Sequence, residues 1–403
     1  MKVLYIVTAY PRHPGDVITP WLVETIQRLG RRGVEVEVLA PAYRGKTEPW
    51  VDGVRVHRFR YAPRAWETLT HDQTAPDRVR EKPWFLGLVP GYVVAGSLAA
   101  ARLARNGRFD AVHAFWPVPH GVLGAVAKRT SGVPLITTFF GVELTWLESD
   151  LPLLKPVLRQ IVRASDAVTA ISSYTAAKLQ AAVPGVEPVL IPFSATVEGF
   201  GTPSSPALPR AAGEPFEVLF VGRLVERKGV QVLLRAAARL LPEREVRVRI
   251  VGDGPMRPVL QAQAQELGLG RVVQFEGFVP NDELARRFRE CDVFVLPAVV
   301  DAKGDTEGLG VVLIEALRYG RPVIASSAGG IVDIVHDGET GLLVAPGDDA
   351  ALAGAIARVM DDPAAATDLA RAGRAHVERT FSWDVIVDDL ASLYRRLQYR
   401  RAW

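Results

Sequence analysis

The sequence predicts an α/β protein of two Rossmann-like halves with a ligand cleft between them, and three observations carry that prediction. Short apolar runs of strand length alternate with stretches of helical periodicity along the whole chain. A segment rich in proline, glycine and serine, residues 195–215, divides the alternation into two series and reads as a linker. Each series opens on an apolar strand followed by a polar loop, the position at which open α/β sheets bind ligands.

Composition sets the frame. A chain of 403 residues is long enough for two domains, each with its own core. Its 48% apolar and 23% charged content excludes a disordered chain and fits a globular one. A net charge of +3 permits a phosphate-rich ligand or an anionic surface without pointing to nucleic acid. The single cysteine, Cys291, excludes an internal disulfide; followed by Asp-Val-Phe-Val-Leu-Pro, it reads as a buried thiol at a strand start. A reducing, cytoplasmic location is therefore expected. The apolar run Val3–Val7 is too short for a secretory signal and reads as the first strand.

In the first half, Val3–Val7 is followed by the loop Ala-Tyr-Pro-Arg-His-Pro-Gly-Asp. Residues 20–32 then place Leu22, Ile26 and Leu29 on one helical face, with Arg28, Arg31 and Arg32 opposite. Gly33 ends that helix and Val34–Leu39 is the second strand, which completes a βαβ unit without a GxGxxG fingerprint. From Val54 to Arg108 the pattern is less regular. Trp84–Ala101 is uncharged and near the length of a membrane span, but Pro90 and the glycines Gly87, Gly91 and Gly96 interrupt it. A helix packed on the sheet is the preferred reading. The basic and aromatic residues around it (Arg58, Arg60, Arg64, Trp66, Arg78, Arg80, Lys82, Arg102, Arg105) keep peripheral contact with an anionic membrane open as an alternative. Phe109–Phe115, Leu135–Phe139, Ala167–Ile171 and Val189–Pro192 are further strands.

The second half repeats the scheme. Strands are expected at Phe216–Val221, Arg247–Val251, Val272–Phe275, Val293–Leu296, Pro322–Ala325 and Gly341–Val344. Helices are expected at Gly229–Leu241, Pro255–Leu267, Asn281–Glu290, Asp348–Met360 and Pro363–Thr380. Ser382 is a plausible cap for a last helix. The domains are thus residues 1–194 and 216–380, with 381–403 a helix that packs back on the N-terminal domain.

Three loops at strand ends carry charge or glycine where a ligand would sit. Gly222–Gly229 supplies Arg223, Arg227 and Lys228 ahead of a helix; an arginine fork and a lysine point charge suit a diphosphate. Gly252-Asp253-Gly254-Pro255 is a tight strand-to-helix turn. Glu307 and Glu315 flank Gly308-Leu309-Gly310, where a helix opens. A helix start attracts phosphate, and two acids beside it suit a ligand that is also a polyol. A nucleotide sugar is such a ligand.

These motifs make a family resemblance specific. Residues 221–229 (VGRLVERKG), 251–255 (VGDGP), 275–280 (FEGFVP), 307–317 (EGLGVVLIEAL), 319–344 and 381–384 (FSWD) resemble the donor domain of the retaining glycosyltransferases of family 4, which have the GT-B fold. The first half is similar more loosely, through its opening βαβ unit and residues 133–144. The resemblance implies transfer of a sugar, with retention and without metal, from a nucleoside-diphosphate sugar, UDP- or GDP-linked. The acceptor would be a glycan, a lipid-linked group or a small molecule. The donor is a co-substrate and no further cofactor is implied. By position, Arg223 and Lys228 would bind the phosphates, Glu315 the ribose and Glu307 the sugar hydroxyls. The backbone of Gly308, Leu309 and Gly310 would meet sugar and phosphate, and Gly252 and Gly254 would line the donor site. Phe278 and Val279 would meet the base, and Gly15 would let the backbone of the first loop approach the diphosphate.

The chain departs from the family at Phe140, where members carry a histidine near the transferred sugar. His120 or His113 could fill that space from a neighbouring loop, and Glu143 could orient sugar or acceptor. The first loop has only Gly15-Asp16 where the family has two glycines. Two rival readings follow: an NDP-sugar epimerase on the same fold, and a non-catalytic nucleotide-sugar-binding protein.

Overall fold

The computed structural model describes residues 1–16, 18–46, 48–71, 75–149, 151–195 and 214–401, without the side chains of 76, 77, 149, 400 and 401. The expected linker, 195–215, lies outside the described residues except at its ends. The chain forms two compact units, Met1–Pro192 with Trp383–Trp403, and Phe193–Ser382.

The N-terminal unit begins with β1 (Lys2–Ile6), α1 (Pro20–Arg31) and β2 (Glu35–Pro41). A short hairpin of β3 (Trp50–Val51) and β4 (Val54–Phe59) follows. Asp52 and Gly53 make its turn, both with positive φ (48° and 79°), as a two-residue Asp-Gly hairpin requires. Next come α2 (Ala75–Glu81), a 3-10 turn at Pro83–Leu88 and α3 (Val89–Asn106). The alternation then resumes with β5 (Ala111–Phe115), α4 (Pro117–Ser131), β6 (Leu135–Phe139) and α5 (Val142–Ser149). It ends with α6 (Lys155–Ala164), β7 (Ala167–Ala170), α7 (Ser173–Ala182) and β8 (Val189–Leu190). The sheet order is β3-β4-β2-β1-β5-β6-β7-β8, parallel except for the β3–β4 pair.

Strand β1 is buried on both faces, which is why it reads as a continuous apolar run. Val3 and Tyr5 join the core layer that holds Leu22, Ile26 and Leu29 of α1. Leu4 and Ile6 join the opposite layer, with Tyr92 and Ala100 of α3 and Leu123 of α4.

The C-terminal unit is more regular. It runs β9 (Phe216–Val221), α8 (Val230–Leu240), β10 (Val246–Val251), α9 (Arg257–Glu266), β11 (Val273–Gly277) and α10 (Asn281–Glu290). Then come β12 (Val293–Leu296), α11 (Val311–Arg318), β13 (Val323–Ser326), β14 (Leu342–Val344), α12 (Asp349–Asp361) and α13 (Pro363–Thr380). The all-parallel order is β11-β10-β9-β12-β13-β14. The strand order reverses between β9 and β12, and the carboxyl ends of strands at such a reversal are where open parallel sheets place a ligand site.

The last helix, α14 (Trp383–Arg401), belongs to the N-terminal unit. Its Ile386, Val387, Leu390 and Leu397 enter the α1 layer. A buried polar chain also ties it to the sheet: the Tyr394 hydroxyl meets Tyr5 Oη and His113 Nδ1, each at 2.7 Å. His113 Nε2 lies 2.6 Å from Thr138, whose hydroxyl meets Thr169 at 2.6 Å. Burial pushes the His113 imidazole down to about 3, so it is neutral in the fold.

Candidate functional site

The site of the C-terminal unit is assembled at the β9/β12 reversal. The loop after β9 contains a 3-10 turn, Glu226–Lys228, and ends at Gly229 with φ of 73°. A Cβ there would lie 1.6 Å from the Pro297 carbonyl oxygen, so glycine is required for this loop to lie against the chain leaving β12. The Val299 N–H donates to the Arg227 carbonyl at 2.9 Å and locks the two loops together. The turn after β10 is stitched to the same loop, the Leu224 N–H donating to the Asp253 carbonyl and the Met256 N–H to the Leu224 carbonyl.

This stitching brings Lys228 and Glu307 into an ion pair, although 79 residues separate them. Their side chains are only 14% and 12% exposed, so the pair is poorly screened by solvent. Burial alone would raise the Glu307 carboxyl. The Lys228 charge and hydrogen bond, with Arg227 and the Gly310 N–H, outweigh it and hold the group below its ordinary value. The Gly330 N–H donates to the Glu307 carbonyl at 3.0 Å. A Cβ on Gly329 would meet that carbonyl at 1.9 Å, so the Gly329-Gly330 turn fixes the backbone that carries the acid.

Helix α11 starts just beyond, after Gly310 with φ of 90°. Leu309 is buried and anchors the turn, which leaves the first N–H groups of the helix without partners inside it. Glu315 lies one turn in. Its side chain is 8% exposed and, among the described residues, makes no hydrogen bond or ion pair. Burial pushes its carboxyl up to about 7, against the opposing pull of Arg318 and Lys228. Arg223 is exposed, and its guanidinium likewise makes no ion pair or hydrogen bond among the described residues, although its carbonyl accepts from the Val225 N–H at 2.9 Å. Phe278 follows β11 and is 86% exposed. The Gly252 N–H donates to the Gly277 carbonyl at 2.7 Å, which sets the Gly252–Gly254 turn beside it.

The N-terminal unit reverses strand order between β1 and β5, and its candidates lie in the loops around that point. Gly15 has φ of 79° in a loop closed by Arg12, whose Nε and Nη2 donate to Asp16 at 2.6 and 3.0 Å. That guanidinium holds the Asp16 carboxyl at about 2. His120 is fully buried. Its Nδ1 meets the Phe115 carbonyl at 2.8 Å and its Nε2 the Tyr92 hydroxyl at 2.9 Å. Both ring nitrogens are occupied and burial pushes the ring down to about 4, so His120 is a core histidine and not a replacement imidazole. His113 is committed in the same way. Glu143 is 1% exposed, and its Oε1 accepts from the Phe140 N–H at 2.6 Å, bracing the turn into α5.

Phe140 itself stacks on Trp116 (4.1 Å between centroids, 8° between planes), and Trp21 packs against both rings. Sequence reasoning missed Trp21 and Trp116. Trp116 stands directly after β5, but its left-handed backbone, φ 54°, gives no signal in the sequence.

Residues 21–192 match the family Glycosyltransferase Family 4, and residues 205–376 match Glycosyl transferases group 1. The chain is 31% identical over 363 residues to a GDP-mannose-dependent alpha-(1-6)-phosphatidylinositol monomannoside mannosyltransferase of Mycolicibacterium smegmatis, covering 85% of this chain and 93% of that one. The chain belongs to glycosyltransferase family 4. A second family member, the D-inositol 3-phosphate glycosyltransferase of Streptomyces scabiei, is 33% identical over 93% of this chain and 85% of its own. Among solved structures, sucrose-phosphate synthase from Thermosynechococcus elongatus superposes with a TM-score of 0.77 at 26% identity, over 98% of each chain. Anabaena HepE in complex with UDP and glucose gives 0.70 at 21% identity, covering 98% of this chain and 100% of that one. The fold of this family 4 glycosyltransferase is GT-B, and the chain is an enzyme. Neither the epimerase nor the non-catalytic reading gains support.

Proposed function

We propose that this glycosyltransferase moves a sugar from a GDP- or UDP-sugar to an acceptor containing a phosphorylated inositol, free or lipid-linked, with retention and without a metal. The acceptors named for the two relatives, phosphatidylinositol monomannoside and D-inositol 3-phosphate, share that group. The observation that carries the donor half is the grouping of exposed Arg223, the Lys228–Glu307 pair and the start of α11 at one strand reversal. A cytoplasmic enzyme has such donors at hand.

The chemistry needs the leaving diphosphate neutralised more than it needs a side-chain base. The anomeric C–O bond breaks and its electron pair stays on the phosphate oxygen. The acceptor hydroxyl attacks from the face the diphosphate leaves, and its proton passes to that phosphate. Arg223 and Lys228 take up the charge that develops on the leaving group, helped by the N–H groups opening α11. Glu307 accepts hydrogen bonds from the sugar hydroxyls and keeps Lys228 aimed at the phosphate. Glu315 accepts from the ribose. The Trp116–Phe140 stack gives the acceptor side an apolar platform where relatives carry imidazole.

The test is product analysis by NMR with GDP-mannose and UDP-sugars, inositol phosphate as acceptor, and chelator present. The α-configured donor is expected to give an α-linked product at undiminished rate. Glu307→Ala is expected to bind nucleotide nearly as the parent does while transferring at least about 100-fold more slowly. A β-linked product would overturn retention, and activity restored only by Mg²⁺ would overturn metal independence. Near-normal turnover in Glu307→Ala would overturn the site.

A further inference from the structure

We propose that the outward face of α3, with the 3-10 turn ahead of it, docks the N-terminal unit on an anionic lipid surface. Helix α3 carries two opposed stripes, each advancing four residues at a time. Tyr92, Gly96, Ala100 and Ala104 point inward and are buried. Val94, Leu98 and Arg102 point outward, with Val94 59% and Leu98 67% exposed. In front of the helix, Trp84 and Leu86 are 50% and 61% exposed, and Trp66 sets its ring edge against Trp84 at 5.6 Å. Five large apolar side chains thus stand in water along one helix and its approach.

The segment Pro83–Asn106 is apolar and long enough to cross a bilayer by length and composition. Its inner stripe excludes that use. A Cβ on Gly96 would lie 2.5 Å from the Leu123 side chain of α4, so that leucine packs directly onto the α3 backbone and α3 is a layer of the domain. What remains is an amphipathic helix lying in the interface with one face free.

Charge selects the occupant. Between Lys82 and Arg108 the sequence holds four cations (Lys82, Arg102, Arg105, Arg108) and no carboxylate. Arg102 continues the outward stripe, Arg105 is exposed in the last turn, and Lys82 is exposed at the other end. Arg78 adds a guanidinium over the Phe85 ring. Among the described side chains of α2 and the turn that follows it, Glu81 is an exposed carboxylate. An apolar stripe with cations at both ends and indole rings at its margin matches an anionic headgroup layer over acyl chains. A second copy fits poorly, because an antiparallel two-fold contact through this face would set Arg102 and Arg105 of each copy towards the Lys82 end of the other, like charge against like. The inference does not rest on the donor site. If the acceptor is lipid-linked, it states how the enzyme meets it.

The test is co-sedimentation of the full chain with vesicles of phosphatidylcholine alone or mixed with phosphatidylglycerol, at low and high salt, with tryptophan emission followed in parallel. The expected result is binding to the mixed vesicles only, a blue shift of emission on binding, and release by high salt. The pair Arg102→Glu and Arg105→Glu and, separately, the pair Leu86→Glu and Leu98→Glu should each weaken binding at least about tenfold. Thermal unfolding and the nucleotide-induced shift of both variants should match the parent, which separates loss of docking from loss of fold or of donor site. Equal binding to neutral vesicles, no binding to anionic ones, or unchanged binding by both variants would overturn the proposal. So would a dimer that Leu98→Glu dissociates.

Discussion

Glu315 shows how one residue's surroundings set a measurable property. Its carboxyl, raised by burial to about 7 from an ordinary 4.5, is held largely protonated below neutrality in the unliganded fold. The folded state therefore binds a proton more readily than the unfolded chain between those two values. Stability contributed here falls as pH rises through that window, by about 3 kcal/mol at full deprotonation. A ribose hydroxyl donating to this group favours the carboxylate, so nucleotide affinity should strengthen from about pH 6 to pH 8. Glu315→Gln should flatten that dependence and raise the melting temperature above pH 7, which calorimetry and titration over pH would read. Identical pH dependence in parent and variant would reject the assignment. The spacing of Glu307 and Glu315 about a glycine helix start was legible in the sequence. The Lys228–Glu307 ion pair was not, because it depends on two loops meeting at a strand reversal 79 residues apart in the chain. His120 misled for a related reason: a histidine just after a strand looks available until the Phe115 carbonyl and Tyr92 hydroxyl are seen to occupy it.

At the scale of elements, α14 is held by a polar contact as well as by packing. The Tyr394 hydroxyl serves both Tyr5 and His113 inside a closed core, and Tyr394→Phe leaves both without that partner. The expected cost is about 1–3 kcal/mol, read as a lower denaturation midpoint of the N-terminal unit. The same chain predicts acid sensitivity. His113 is neutral in the fold and pushed down to about 3, so the stability it contributes is present above pH 6.5 and is lost as pH falls from 6.5 towards 3. An unchanged midpoint in Tyr394→Phe would show that packing alone docks the helix. Most strands and helices were readable from apolar period, because parallel strands buried on both faces give unbroken apolar runs. The stretch from Val54 to Arg108 was not. Strand β4 alternates buried Val54 and Val56 with exposed Arg55, a pattern too short to stand out, although Asp52-Gly53 was a usable hairpin signal.

For the whole molecule, fold and enzyme class were legible in the sequence because the motifs of the second half are local segments at strand ends, each readable where it stands. The aromatic group of Trp21, Trp116 and Phe140, proposed above for the acceptor side, is drawn from three separate elements and includes a left-handed tryptophan, so no local motif announces it. The proposed function stands or falls with Arg223, Lys228 and the start of α11 as a diphosphate site that works without metal. The most direct test is a thermal-shift panel of GDP, UDP and ADP and their sugar conjugates in chelator, run on the parent and on Arg223→Ala. A ligand at about 100 times its Kd adds about 2.7 kcal/mol, a rise of several degrees for a unit of this size. One base should stand out in the parent, and Arg223→Ala should need at least about tenfold more of that nucleotide for the same rise. No shift with any nucleotide, or a shift that Arg223→Ala leaves untouched, would contradict it.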